Sequence, residues 1–169
     1  VSEECLARHL MPRPSAQAYG APGTFLVDSL PEKSVLPKLI VFDLDHTLWT
    51  PELFSLKIPD EGRPIAGQDV WLLPDAFSFL YELSTHPRWQ RETAIGVASR
   101  THRTSFAHHL LNTMEINGQA LSSIVQPGCT QIYKGNKQRH FKALREATSL
   151  EYHEMLFFDD ARDGKYGNC

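Results

Sequence analysis

Four short, mostly apolar runs divide the chain: Leu39-Ile40-Val41-Phe42, Ala94-Ile95-Gly96-Val97-Ala98, Ser123-Ile124-Val125 and Met155-Leu156-Phe157-Phe158. A brief apolar run bounded by polar residues predicts a strand buried on both faces. Between the runs the spacing becomes helical. Phe77, Leu80 and Leu83 recur at intervals of three, as do Phe141 and Leu144, and Phe106, Leu110, Leu111 and Met114 form another apolar stripe. Strands alternating with helices predict a parallel sheet in a layered α/β fold.

Two stretches break this rhythm. Residues 51–73 run from Pro51 through Leu56-Lys57-Ile58 and the turn-like Pro59-Asp60-Glu61-Gly62 to Val70-Trp71-Leu72. That pattern predicts a β-hairpin flap after the first strand, too short to be a second domain. The lead-in holds Pro12, Pro14, Pro22, Pro31 and Pro37 and shows no sustained period. Residues 1–35 therefore read as an irregular N-terminal extension and 36–169 as one α/β domain.

The chemistry gathers where the apolar runs stop. The first run ends in Asp43 and Asp45, the second in Ser99-Arg100-Thr101 and the fourth in Asp159-Asp160. In an open α/β sheet, ligands bind beyond the carboxyl ends of the strands. Two carboxylates two residues apart repel each other there, and a cation must offset them. Magnesium suits the set, because it takes few carboxylates and keeps water or phosphate oxygens as its other ligands.

Composition narrows the classes. At 169 residues, 41% hydrophobic and 22% charged, the chain has the length and make-up of one globular domain. A net charge of -3 provides no basic field for nucleic acid, and no apolar run approaches the roughly 18 residues of a membrane span. Cys5, Cys129 and Cys169 are odd in number and widely spaced, which fits neither a disulfide framework nor a zinc knuckle. The expectation is a cytoplasmic monomer. His102, His108 and His109 lack a zinc-binding spacing, and Ser99 lacks the glycines of a nucleophile elbow. The tryptophans Trp49, Trp71 and Trp89 read as packing or flap residues.

The string Val41-Phe42-Asp43-Leu44-Asp45-His46-Thr47-Leu48-Trp49 resembles motif I of the haloacid dehalogenase (HAD) superfamily, and within it the magnesium-dependent phosphatases with their FDLDxTLW pattern. The resemblance continues at Gly67-Gln68, Leu73-Pro74-Asp75, Ala98-Ser99-Arg100-Thr101, Gly135-Asn136-Lys137 with His140-Phe141, and Phe157-Phe158-Asp159-Asp160. It implies a three-layer, HAD-like (Rossmannoid) parallel sheet and a phosphomonoester hydrolase. It also implies roles. Asp43 is the nucleophile that becomes an aspartyl-phosphate, and Asp45 is the general acid and base. Leu44, Thr47, Ser99 and Arg100 shape or bind the phosphoryl site, and Lys137, favoured over Lys134, balances the acidic cluster. Magnesium is held by Asp43, the Asp45 carbonyl and one of Asp159 and Asp160, with the choice open. His46 faces substrate or packs, without a catalytic role.

The implied substrates are phosphotyrosine in proteins or a sugar phosphate such as fructosamine 6-phosphate. The flap's Trp71 and Leu72 offer a surface for a phenyl ring. Two other readings use the same residues: a receiver-like switch that keeps its phosphoryl group, and a non-catalytic HAD scaffold that binds partners. The order of the acidic pairs along the chain argues against the receiver. The sequence starts at Val1 and stops at Cys169, soon after the last motif, with Asn168 as the candidate closing residue. A chain truncated at its C-terminus is the expectation.

Overall fold

The computed structural model describes residues 24–59 and 61–161. Cys5, Cys169, Asp60 and Asn168, with most of the N-terminal extension, lie outside the described residues. In chain order the strands are β1 (Leu39–Phe42), β2 (Trp49–Thr50), β3 (Trp71–Leu72), β4 (Ala94–Ser99), β5 (Glu115–Ile116), β6 (Gln119–Ala120), β7 (Thr130–Ile132) and β8 (Met155–Phe158). The helices are α1 (Pro74–Thr85), α2 (Pro87–Glu92), α3 (Thr104–Thr113), α4 (Leu121–Ile124) and α5 (Lys137–Thr148).

The main sheet has the order β7-β4-β1-β8 and is parallel throughout, as the alternating pattern predicts. Its centre, β1, is buried at all four positions. Helices cover both faces. Phe79 of α1 meets Phe42 and Phe158 edge-on, while Phe141 of α5 meets the preceding residue, Phe157, from the other side. Successive strand residues point to opposite faces, so these contacts define three layers. Starting at β1, the chain adds β4 and β7 on one side, then returns to place β8 on the other. The crevice between β1 and β8, at their carboxyl ends, is where such a sheet accepts a ligand.

Two expectations are corrected, and one hairpin is additional. Ser123-Ile124-Val125 is not a strand: Ser123 and Ile124 end the short α4, Val125 caps it, and the third sheet strand is Thr130-Gln131-Ile132. That strand lies at the sheet edge, where half-exposed Thr130 and Gln131 are tolerated and the apolar signature disappears. The flap is not paired through Leu56-Lys57-Ile58. Its antiparallel ribbon joins Trp49 to Leu72 and Thr50 to Trp71, and the Leu56 and Ile58 carbonyls instead accept from the Arg103 guanidinium at 3.3 and 3.1 Å. A further hairpin, β5–β6, turns at Asn117-Gly118, both with positive φ (50° and 73°), and its Asn-Gly signal was overlooked in the sequence.

The described part of the N-terminal segment holds a 3-10 turn, Leu26–Ser29, and is anchored to the domain. Val27 is buried, and the Glu82 carboxylate of α1 accepts from the Leu26 and Val27 amides at 2.7 and 2.8 Å and from the Trp89 indole N–H at 2.7 Å. Arg88 adds a bond to the Ser34 carbonyl at 2.7 Å. One buried carboxylate thus clamps the segment onto α1 and α2. None of the described helices is long and apolar enough to cross a membrane.

Glu82→Ala leaves three N–H donors without an acceptor, two of them buried. The expected loss is about 3 kcal/mol in urea denaturation. Glu92→Ala, which breaks partly exposed pairs with Arg88 and Arg91, should cost less than about 1 kcal/mol in the same assay.

Candidate active site

The site begins where β1 runs out. The Asp43 amide still donates to the last carbonyl of β8, that of Phe158, at 2.9 Å, so Asp43 leaves the sheet in the β1–β8 crevice. The chain then turns sharply. The Leu44 carbonyl accepts from the amides of Thr47, Leu48 and Trp49 at 3.2, 2.8 and 3.2 Å, and His46 takes a left-handed conformation with φ 58°. A non-glycine residue held there carries strain, a common feature of functional loops. The Leu44 side chain is wholly buried, and its amide is turned to the Asp43 carboxylate.

This turn separates two carboxylates that the sequence sets side by side. Asp43 faces Lys137, whose Nζ lies 2.6 Å from Asp43 Oδ1. Asp45 faces the flap, its Oδ1 accepting from the Trp49 indole N–H at 2.8 Å and the Leu53 amide at 3.3 Å. Burial pushes the Asp43 carboxyl up to about 6, against the pull of the Lys137 ammonium. Burial also raises Asp45, with the Trp49 and Leu53 N–H groups working the other way.

Lys137 is the first residue of α5 and is buried, with Asn136 capping the helix through a 3.2 Å bond from Arg139 N. A cation at a helix N-terminus opposes the helix dipole, so its environment must compensate. Its ammonium donates to Asp43 and to the Ala98 carbonyl, lies 3.5 Å from Asp159 Oδ2, and sits 4.9 Å from the Phe157 ring centre. Lys134 is exposed on the rim of the same cavity.

The β8 end supplies the remaining oxygens. Asp159 Oδ1 accepts from the Ala161 amide at 3.0 Å, while Thr47 Oγ1 accepts from the Asp160 amide at 3.1 Å and ties the two loops together. Asp159 Oδ2 is buried and has no hydrogen-bond donor among the described residues. Carboxylate oxygens of Asp43, Asp159 and Asp160 lie within 4.8 Å of one another. An all-oxygen cluster with an unsatisfied buried carboxylate oxygen fits a hard divalent cation.

Ser99 is buried at the end of β4, its Oγ accepting from the Thr101 amide at 3.3 Å. With Arg100, Asp43, Asp45, Lys137, Asp159 and Asp160 it lines a cavity of about 690 Å³. Trp71 and Leu72 line a different cavity of about 430 Å³, beside Phe77 and Met114. The aromatic residue at the site is Phe54, 59% exposed on the flap's 3-10 turn Leu53–Ser55. His46 is not part of the cavity wall and sits 3.9 Å from Glu52.

Sequence reasoning missed three contributors: Trp49, Phe54 and His140. Buried His140 places its ring nitrogens 2.9 Å from the Ser99 and Asn136 carbonyls and 3.0 Å from that of Tyr133. It thereby braces the end of β4 against the start of α5. The family resemblance included His140, but no local pattern revealed its role.

The Acid Phosphatase family model matches residues 35–166. Over 135 residues the chain is 32% identical to a HAD-like hydrolase superfamily protein of Schizosaccharomyces pombe, covering 73% of this chain and 76% of that one. Over 138 residues it is 33% identical to magnesium-dependent phosphatase 1 of Homo sapiens, covering 75% of this chain and 69% of that one.

Asp43 makes stability depend on pH when no metal is bound. Below its ordinary value of 3.8 the carboxyl is protonated in folded and unfolded chains alike, and burial costs nothing. As pH rises towards about 6 the unfolded chain ionises freely while the folded one resists, so stability is lost across that window, by about 3 kcal/mol in all. In chelator, the stability of Asp43→Asn relative to the unaltered protein should climb between about pH 4 and pH 6 and level off above, as read from urea melts.

Proposed function

This chain belongs to the acid phosphatase family of HAD-type hydrolases, and from that membership we propose that it hydrolyses phosphomonoesters through an aspartyl-phosphate intermediate, with magnesium as cofactor. The observation that carries this reading is the pairing of Asp43 and Asp159 around one buried Lys137, with an Asp159 oxygen that meets no hydrogen-bond donor among the described residues.

In this reading an Asp43 carboxylate oxygen attacks phosphorus while the bond from phosphorus to the substrate alcohol oxygen breaks. Asp45 gives its proton to that oxygen, and the alcohol leaves. Asp45 then takes a proton from water as the water oxygen attacks phosphorus, which releases inorganic phosphate and restores Asp43. Lys137 sits where charge gathers on the phosphoryl oxygens, and the Ser99 hydroxyl donates to one of them. Arg100 adds a charge-assisted contact. Asp43, the Asp45 carbonyl and Asp159 would hold magnesium directly, and Asp160 would do so through water. Magnesium, when bound, neutralises charge on the transferring group.

Phosphotyrosine in proteins is the favoured substrate, because Phe54 lines the cavity and presents an exposed aromatic face to a phenyl ring. A sugar phosphate such as fructosamine 6-phosphate is the second reading, supported by the polar rim of Arg100, His102 and Lys134.

The test is hydrolysis of an aryl phosphate with and without magnesium. Chelator should abolish turnover, and Asp43→Asn should lower it by at least about 10³-fold. Robust turnover by the Asn variant would sink the assignment of Asp43 as nucleophile. A long-lived phosphoryl-protein with no turnover would favour the receiver-like switch. A panel of phosphotyrosyl peptides and sugar phosphates then ranks the substrates, with phosphotyrosine expected to give the higher kcat/KM.

A further inference from the structure

Asp45 serves as proton donor only within the function proposed above, and the inference here rests on that reading. We infer that Trp49 is a positioning residue for Asp45 and that the flap amide of Leu53 is its second clamp, so that protonation of the leaving group is coupled to the seating of the flap.

Trp49 opens β2 and is wholly buried. Its backbone is fixed on two sides. Its backbone pairs with Leu72 across the ribbon, and its carbonyl accepts from the His46 amide at 2.8 Å. A bulky indole with no exposed surface has no alternative rotamer at low cost. Its N–H therefore points in one direction, at Asp45 Oδ1, 2.8 Å away.

The Leu53 amide reaches the same oxygen at 3.3 Å. A carboxyl oxygen has two lone pairs, and two N–H donors occupy both. Oδ1 is thus an acceptor in either protonation state, and the proton in transit belongs on Oδ2. The two clamps select which oxygen carries the proton as well as where the carboxyl sits. Proton transfer requires the donor within hydrogen-bond reach of the leaving oxygen, so a carboxyl free to rotate would spend much of its time misdirected.

Leu53 is the first residue of the 3-10 turn that carries Phe54 at the cavity mouth. Leu53 itself is wholly buried, while Phe54 is exposed. A substrate pressing on Phe54 acts on the turn whose first amide holds Asp45. The flap therefore links occupancy of the cavity to the aim of the proton donor.

The experiment compares substrates by how much their leaving groups need a proton. The magnesium-loaded enzyme is assayed on 4-nitrophenyl phosphate, phenyl phosphate and an alkyl phosphate, and kcat/KM is read because it reports the first chemical step. Trp49→Phe should stay within about 3-fold of the unaltered enzyme on the nitrophenyl ester and fall about 10- to 100-fold on the alkyl ester. Asp45→Asn should show the same ordering more steeply. Because Trp49 is buried, a second replacement guards against misfolding: 3-benzothienylalanine at position 49 keeps the ring and exchanges the N–H for sulfur. It should reproduce the leaving-group dependence with an unchanged Tm. Equal losses on all three esters, or an unaltered ratio in the sulfur isostere, overturn the inference. No turnover of any ester by the unaltered enzyme overturns the proposed function itself, and this inference with it.

Discussion

Everything at this site depends on concentrating negative charge at one sheet edge without breaking the fold. Asp43 and Asp159 leave adjacent strands and both face the ammonium of Lys137, at 2.6 and 3.5 Å. One cation does not balance two buried carboxylates and their neighbour Asp160. Removing charges from water is costly, and the mutual attraction of a buried pair repays that only when the remaining lone pairs are satisfied. Here, among the described residues, one is not: Asp159 Oδ2 lacks a hydrogen-bond donor. The cluster thus carries an excess of negative charge that a divalent cation would relieve.

The same constraint accounts for what surrounds the cluster. Lys137 is placed against the dipole of its own helix, a position that stability alone would not select. The Ala98 carbonyl and the Phe157 ring make up part of the difference. His140 braces the ends of β4 and β7 by meeting the Ser99 and Tyr133 carbonyls, which keeps the Ser99 hydroxyl and the Lys137 ammonium in register. His46, held at positive φ, is the local strain of a turn tight enough to send Asp43 and Asp45 to different partners.

Much of this was legible in the chain itself. Buried β1 and β4 coincide with apolar runs because strands covered on both faces exclude polar residues, and β8 carries an apolar run although Leu156 and Phe158 are exposed. The residues expected at the site, from Asp43 to Asp160, do converge on one cavity wall, except that Leu44 is buried beside it and Thr47 bonds the Asp160 amide behind it. Edge strand β7 was missed because an edge tolerates Thr130 and Gln131. The flap's pairing was misplaced because Arg103, distant in sequence, takes the Leu56 and Ile58 carbonyls that a strand partner would otherwise bond.

By itself the sequence determined where β1, β4 and β8 lie and the residues that follow each, and therefore most of the chemical inventory of the site, because burial and period are local properties. Tertiary structure alone decided how that inventory is divided. Asp43 and Asp45 are equivalent as text, and they differ because one meets Lys137 from α5 and the other meets Trp49 and Leu53 from the flap. It also decided that Asp159 lies buried against Lys137 while Asp160 stays exposed, and that Phe54 instead of Trp71 faces the cavity. Such choices depend on contacts between segments far apart in sequence. The direction and environment of a side chain are set by what packs against it, and a linear pattern does not encode that.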